Sequence, residues 1–293
     1  MRLTSLHTLD LSSNNLTGSI PRSIENLSNL SIFDISQNAF SNSIPQEICN
    51  LRSLTVLFLW KNRLSGSIPS EITRLTSLHT LDLSSNNLTG SIPHSIGNLS
   101  NLSMLILYQN YLAGPIPTSL GKLGNLSMFD ISLNAISGSI PQEICKLRSL
   151  TFLSLRENRL LGSIPSEIGR LASLNLLHLS SNNLTGSIPH SIGNLSNLSI
   201  FDISQNAISN SIPQEICNLR SLTVLSLQKN KLSGSIPSKI MRLTSLHTLD
   251  LSSNNLTGSI PHSIGNLSNL SMLILYQNYL AGQSLLLLEN WAT

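Results

Sequence analysis

Several residue classes are scarce in this chain. Charged residues make up 11% of its 293 residues and aromatic residues 4%, whereas roughly a quarter of an average soluble protein is charged. The net charge of +3 is too small and too dispersed to indicate nucleic acid or an anionic membrane as the partner. No apolar run approaches the roughly 18 residues that a membrane span needs. These shortages predict a soluble chain with neither kind of partner.

The chain is instead rich in a single repeat. Asparagine recurs with a period of 24 residues and without slippage, at Asn14, Asn38, Asn62, Asn86, Asn110, Asn134, Asn158, Asn182, Asn206, Asn230, Asn254 and Asn278. From Leu6 to Leu27 the first repeat reads Leu-x-x-Leu-x-Leu-x-x-Asn-x-Leu-x-Gly-x-Ile-Pro-x-x-Ile-x-x-Leu. The Ile-Pro pair follows in every repeat except the twelfth. This period predicts stacked coils that share one continuous core.

Each position of the repeat has a physical role. Leu9 and Leu11 are expected to point inward from a short strand, while the residues between and beside them point outward, because side chains alternate along a strand. One strand per repeat predicts a parallel sheet. The Asn14 amide can satisfy backbone groups of its own and the neighbouring coil, Gly18 permits a turn closed to other residues, and Pro21 fixes the backbone before the outer wall.

The Leu-x-Gly-x-Ile-Pro motif at this period resembles the plant-specific leucine-rich repeats of receptor-like kinases, receptor-like proteins and polygalacturonase inhibitors, over residues 3–290. The resemblance implies an α/β solenoid, a right-handed superhelix of twelve 24-residue repeats over residues 1–282. It also implies a parallel sheet on the concave face and a second short strand near the Ser-x-Ile-Pro segment. The chain is most similar in kind to a fragment of a leucine-rich-repeat receptor-like kinase ectodomain without caps, membrane span or kinase.

Both ends of the sequence depart from that family pattern. Met1 and Arg2 lead directly into a patterned segment, with no signal peptide or cysteine-paired cap. After Gly282 the expected Ile-Pro is replaced by the irregular segment 283–293, which contains Leu285 to Leu288 and Trp291. That segment is interpreted either as a makeshift cap or as an out-of-register tail. Ends without caps expose strand edges, so end-to-end self-association is one hypothesis.

The residues that could carry chemistry fall on repeated positions. No Gly-x-Ser-x-Gly elbow, phosphate-binding loop, paired carboxylates or metal-ligand spacing is present. A column of acids is expected to be hydrogen-bonded scaffold or solvated surface, and comprises Asp10, Asp34, Asp82, Asp130, Asp202 and Asp250. Cys49, Cys145 and Cys217 are three or four repeats apart, at least about 14 Å, too far for a disulfide. They are expected to fill the outer wall rather than to react or bind metal. The sequence thus predicts no enzyme, no cofactor and no metal.

The stronger signal is the interruption of the Asp/Ser surface by large side chains. The predicted ligand-binding residues are Phe58, Trp60, Lys61, Ile106, Tyr108, Gln109, Phe152, Arg156, Glu157 and His178. Aromatic and Arg side chains on an exposed sheet are the types that anchor protein and peptide interfaces. An extended peptide could lie across the ridges of the third and fifth repeats, which are about 10 Å apart. The alternative explanation is neutral drift on a duplicated surface.

The leading functional hypothesis is a non-enzymatic, extracellular recognition module that binds a secreted peptide or protein, with a co-receptor as a further partner. The alternatives are a polygalacturonase-inhibitor-like defence protein and an ice-binding or self-assembling solenoid. The extracellular or cell-surface location follows from the resemblance. It agrees with thirteen Asn-x-Ser/Thr glycosylation motifs, which the repeat template could also generate, at Asn15, Asn26, Asn29, Asn87, Asn98, Asn101, Asn125, Asn183, Asn194, Asn197, Asn255, Asn266 and Asn269.

Overall fold

A computed structural model describes residue 3 and residues 5–282. The chain divides into two compact units. The first comprises the residues up to Leu150 together with Glu157–Arg159, and the second comprises Thr151–Arg156 together with the residues from Leu160 onward. The predicted cap or tail, residues 283–293, lies outside the described residues.

Every described coil of the first unit opens with a three-residue parallel strand. Odd numbers denote these inner strands: β1 (Thr8–Asp10), β3 (Ile32–Asp34), β5 (Val56–Phe58), β7 (Thr80–Asp82), β9 (Met104–Ile106) and β11 (Met128–Asp130). Each residue pairs with the residue 24 positions further on, as Asp34 does with Phe58 and Phe58 with Asp82. The central residue of each strand from β3 to β11 is buried, because the apolar side chain at that position faces the core.

The second unit repeats this arrangement with the same register. Its inner strands are β13 (Phe152–Ser154), β15 (Leu176–His178), β17 (Ile200–Asp202), β19 (Val224–Ser226), β21 (Thr248–Asp250) and β23 (Met272–Ile274). His178 pairs with Asp202, and Asp202 with Ser226. The predicted parallel sheet with one strand per repeat is therefore confirmed in both units.

A second, shorter strand follows in each coil, as the resemblance implies. These strands are β2 (Thr17–Gly18), β4 (Ala39–Ser43), β6 (Arg63–Ser67), β8 (Asn87–Thr89), β10 (Ala113–Pro115), β12 (Ala135–Ser139), β14 (Arg159–Gly162), β16 (Asn183–Leu184), β18 (Ser209–Ser211), β20 (Lys231–Gly234), β22 (Asn255–Gly258) and β24 (Tyr279–Leu280). The glycine of the repeat has a left-handed backbone here, with φ of 74° at Gly66. Asn42 and Asn210 replace it at φ of 66° and 67°, because asparagine tolerates that region.

Short 3-10 helices form the outer side of the coils. They are η1 (Arg22–Asn26), η2 (Gln46–Asn50), η3 (Ser70–Arg74), η4 (His94–Asn98), η5 (Thr118–Lys122), η6 (Gln142–Lys146), η7 (Ile168–Arg170), η8 (His190–Asn194), η9 (Gln214–Asn218), η10 (Ser238–Arg242) and η11 (His262–Asn266). The helical part of the expected α/β solenoid is thus of the 3-10 type throughout residues 5–282. None of these helices has the length and apolar character needed to cross a membrane.

The repeated asparagine joins three backbone segments. In the first unit, Nδ2 of Asn86 donates to the carbonyl oxygens of Leu59 and Leu83, at 3.0 and 3.1 Å. Its Oδ1 accepts from the backbone N–H of Leu64 at 3.0 Å. Asn230 makes the same contacts in the second unit, with Ile203, Leu227 and Ile208. Buried carbonyl and N–H groups at the sharp turn after each inner strand are satisfied in this way.

Candidate functional site

The outward-pointing side chains of the inner strands, with those of the three residues after each strand, form a surface that we call the open face. Most of its coils share one device, an Asp whose Oδ1 accepts a hydrogen bond from the backbone N–H of the Ser two residues later. These Asp–Ser clasps measure 2.8 to 3.0 Å and are Asp10–Ser12, Asp34–Ser36, Asp82–Ser84, Asp130–Ser132, Asp202–Ser204 and Asp250–Ser252. Six of the twelve described coils therefore use the acid column as hydrogen-bonded scaffold.

Large side chains replace the clasp in two coils of the first unit. Phe58 ends β5 and Trp60 follows it, while Ile106 ends β9 and Tyr108 follows it. All four are half-buried, and each alternates with a leucine of the core, such as Leu59 between Phe58 and Trp60. The side-chain alternation thus places Trp60 and Tyr108 on the open face, as the sequence predicts.

The residue after each of these aromatics has an unusual backbone. Lys61 and Gln109 lie in the left-handed region, with φ of 51° and 56°. The turn is held by the N–H of Lys61, which donates to the carbonyl of Ser84 at 2.9 Å. From this position Lys61 Nζ lies 5.2 Å from the centroid of the Trp60 ring, a cation–π contact. Because Ser13 and Ser85 share this conformation, it belongs to the repeat and is not specific to the site.

A polar stripe separates the two apolar ridges. The register places Asp82 directly between Phe58 and Ile106. Its Oδ1 accepts from the Ser84 hydroxyl at 2.6 Å and from the Ser84 N–H at 2.9 Å. Burial raises the pKa of Asp82 above its ordinary value; the Ser84 bonds oppose that shift, and the Asp130 and Asp34 carboxylates add to it. The first unit therefore presents two apolar ridges with a partly buried acid between them.

The second unit holds three of the predicted site residues, Phe152, Arg156 and His178. Phe152 is half-buried at the start of β13 and Arg156 is exposed. Nε2 of His178 lies 2.9 Å from Oδ2 of Asp202, with side chains 24% and 20% exposed. Although burial acts to raise the pKa of Asp202, the hydrogen bonds from His178 and Ser204 outweigh it and hold that pKa below its ordinary value. His178 is thus a clasp partner in this unit.

The other seven predicted residues lie in the first unit. Among these, the structure brings together Phe58, Trp60 and Lys61 in one coil. Glu157, the seventh, is half-buried and lines a groove along one flank, where Gln109 also contributes. The predicted site therefore separates into a ridge cluster in the first unit and a His–Asp pair in the second.

Sequence reasoning missed the groove itself. It has a volume of about 470 Å³ and lies where the inner strands pass into the second strands of the first unit. Its walls include Asn87, Tyr111 and Leu133. The Tyr111 side chain is 65% exposed and that of Leu133 is 38% exposed. The signal was available, because Tyr111 stands where most other repeats carry Asn, Ala, Arg or Lys.

The cysteines lie away from these surfaces. Cys49, Cys145 and Cys217 are reduced and buried within η2, η6 and η9. Burial raises the pKa of Cys49 to about 12 and that of Cys217 to about 11, so both thiols are protonated and poorly nucleophilic at neutral pH. Over residue 3 and residues 5–282, no group of three His, Cys, Asp or Glu side chains is placed to hold a metal ion.

Family models match most of the chain. A leucine-rich repeat model matches residues 4–64 and 52–112, and a leucine-rich repeat region model matches residues 131–234. A third model, of two leucine-rich repeats, matches residues 220–264. The chain belongs to the leucine-rich-repeat family. A sequence comparison with curated proteins finds no match.

Solved leucine-rich-repeat structures place the chain more narrowly. The crystal structure of a TDR receptor matches with a TM-score of 0.92 and 36% identity, over 94% of this chain and 48% of that one. The plant peptide hormone receptor RGFR1 in complex with RGF2 matches with a TM-score of 0.83 and 36% identity, over 95% and 52%. A plant ice-binding protein matches with a TM-score of 0.70 and 31% identity, over 83% and 78%. The chain thus spans about half the length of the two receptors.

Proposed function

We propose that this chain is a non-enzymatic, extracellular recognition module that binds a secreted peptide or protein on the open face of its first unit. One observation carries the proposal: two ridges, Phe58 with Trp60 and Ile106 with Tyr108, stand on either side of the Asp82 clasp. Half-buried aromatic side chains on an exposed sheet are the type of group that dominates binding energy at peptide and protein interfaces.

The spacing of the ridges defines a ligand geometry. Two strand spacings separate them, about 10 Å. An extended peptide advances about 3.3 Å per residue and a polyproline II segment about 3.1 Å, so three residues span the ridges. Polyproline II has three residues per turn and presents residues i and i+3 on one side. A ligand with apolar side chains at i and i+3 would contact both ridges, while Asp82 and Ser84 lie beneath the intervening peptide bonds.

The similarity to a plant peptide hormone receptor supports this assignment. An extracellular or cell-surface location, and a co-receptor as second partner, form part of the same proposal. Lys61 beside Trp60 adds a cation at the rim of the ridge cluster. Such a cation would favour a carboxylate near the end of a bound peptide.

A peptide selection tests the proposal. Trp60 is one of two tryptophans, so a Trp291→Phe background makes the Trp60 emission a direct reporter of the ridge cluster. Random dodecapeptides displayed on phage are selected on this chain, and the enriched peptides are then synthesised and titrated. We expect apolar residues three apart and a change in Trp60 emission on binding. The Trp60→Ala, Tyr108→Ala double variant should lose about 100-fold or more in affinity, since truncating one interface hot spot costs about 2 kcal/mol.

A matched control uses the third aromatic of the first unit. Tyr111→Ala removes an exposed ring from the flank and leaves the ridges intact, so affinity should be retained. Urea unfolding of both variants should match that of the parent, because the truncated side chains lie outside the core. Enriched peptides that bind the double variant as tightly as the parent would remove the ridge assignment.

Ice binding is a second candidate, favoured by the similarity to a plant ice-binding protein, of which this chain covers 78%. Regular Ser, Thr and Asn columns provide repeated hydroxyl and amide groups. The ridges at Trp60 and Tyr108 interrupt the regularity of the open face, and ice binding therefore ranks second. Thermal hysteresis of the purified chain above that of albumin at equal concentration would favour it, and none would exclude it.

A further inference from the structure

Four glycosylation motifs occupy one position of the repeat. Asn15, Asn87, Asn183 and Asn255 each begin an Asn-Leu-Thr sequence at the second strand, and all four are exposed. In the last three copies the leucine between Asn and Thr is fully buried. Alternation along the strand therefore turns the Asn and Thr side chains outward. The four motifs differ little in their own coils.

The next coil makes them different. The N–H of Tyr111 donates to the carbonyl of Leu88, at the centre of the Asn87 motif, at 2.8 Å. The N–H of Ala207 makes the same bond, also of 2.8 Å, to Leu184 in the Asn183 motif. Ala39 likewise faces the Asn15 motif, and Tyr279 pairs with Thr257 of the Asn255 motif. Two motifs thus lie beside an exposed tyrosine ring and two beside a methyl group.

The groove of the first unit joins the Asn87 side chain to that ring. Asn87 and Tyr111 both line it, and its volume of about 470 Å³ can contain a monosaccharide ring or two. Asn62, Ser85 and Gln109 add amide and hydroxyl groups to its walls. A pyranose has an apolar face of C–H groups and a polar rim of hydroxyls. An exposed aromatic face flanked by such polar groups is complementary to both.

We propose that Asn87 carries an N-linked glycan whose first sugars lie in this groove against the Tyr111 ring. Asn255 and Tyr279 form the corresponding pair in the second unit, whereas glycans on Asn15 and Asn183 extend into solvent. The inference rests on the extracellular location proposed above, because attachment requires the secretory pathway. Attachment forms the bond from Asn87 Nδ2 to C1 of N-acetylglucosamine and breaks the bond from C1 to the pyrophosphate of a lipid-linked oligosaccharide. The lipid pyrophosphate leaves with the bonding electrons, and one amide proton passes to solvent.

All four sites can be compared within one molecule. The chain is secreted behind an added signal peptide from cells that keep glycans in the high-mannose form. Glycopeptide mass spectrometry then gives the occupancy of each site and the rate at which endoglycosidase H releases each glycan from the native protein. Because a stacked sugar hinders the enzyme, we expect release at Asn87 and Asn255 to be about 2- to 10-fold slower than at Asn15 and Asn183. The difference should vanish after unfolding in urea.

Two reciprocal variants assign the effect to the ring. Tyr111→Ala should raise the release rate at Asn87 to that of Asn183 and leave Asn255 unchanged. Ala207→Tyr should slow release at Asn183. An unoccupied Asn87 in the secreted chain, or equal native release rates at Asn87 and Asn183, would overturn the proposal. Neither measurement involves a peptide ligand, so failure here is distinct from failure of the peptide-binding proposal.

Discussion

Asp82 in the first unit and Asp202 in the second occupy the same position of the repeat but differ in ionisation. Both accept a hydrogen bond from the backbone of the Ser two residues later, at 2.9 and 2.8 Å. The pKa of Asp82 is nevertheless raised, chiefly by burial, whereas hydrogen bonds led by that from His178 lower the pKa of Asp202. The two carboxyl groups are therefore scaffold elements of opposite electrostatic character.

The neighbours 24 residues away account for the contrast. Asp82 lies between Phe58 and Ile106, which exclude water and offer no donor. Asp202 lies between His178 and Ser226, and the imidazole lies 2.9 Å from its free oxygen. A repeat position thus fixes where a side chain lies, while the adjacent coils fix its chemistry. The apolar neighbours of Asp82 are the same side chains that form the proposed ligand ridges.

The asparagine ladder should be the part that the two units share. Asn86→Ala and Asn230→Ala each leave buried backbone groups without partners in their own unit, and we expect each to lower the free energy of unfolding by about 3 kcal/mol. Urea unfolding followed by circular dichroism measures both. Asn87→Ala, one residue further and exposed, is the matched control and should change little. A large difference between the two ladder variants would show that the scaffold itself differs between the units.

The His178–Asp202 pair should contribute a smaller amount that is specific to the second unit. His178→Ala removes a half-buried hydrogen bond to a carboxylate and should lower the free energy of unfolding by about 1–2 kcal/mol at neutral pH. The chain provides a matched control in His190, whose Nδ1 lies 2.8 Å from Glu215 with both side chains more exposed. His190→Ala should have no measurable effect, because solvent screens exposed pairs. Equal losses for the two variants would contradict a role for burial.

The smallest expected effect is a difference in pH dependence between the two acids. A raised folded-state pKa means that Asp82 costs stability as pH rises from its unfolded-state pKa through its folded-state pKa. Asp82→Asn should therefore gain stability relative to the parent as pH rises from 3 to 7. Asp202 has a lowered folded-state pKa, so its contribution is complete above the unfolded-state pKa and is lost as pH falls. Asp202→Asn should accordingly lose stability relative to the parent over the same rise. Urea midpoints at four pH values measure both slopes, and slopes of equal sign would contradict the assignment.

Much of the molecule could be predicted from the residues alone. The period of Asn14 and its equivalents predicted the coils, and the alternation around Leu57 and Leu59 predicted which side chains face the core. These inferences succeed because they depend on short-range geometry repeated by translation. The sequence did not predict the flank groove, because Tyr111 meets the Asn87 motif through second strands whose register differs from that of the inner sheet. In those strands Asn110 Oδ1 accepts from the N–H of Leu88, 22 residues earlier, whereas inner-strand partners are 24 apart.

The amino-acid sequence by itself determined the leucine-rich coil, its inner strand, its buried leucines and the place of Trp60 and Tyr108 on the open face. A repeat of fixed length leaves each residue one orientation, and burial of apolar side chains selects it. Only the tertiary structure decided the charge tendency of Asp82 and Asp202 and the meeting of Asn87 with Tyr111. Both depend on how deeply neighbouring coils bury a group and on the register between them, and neither quantity is a property of a single repeat.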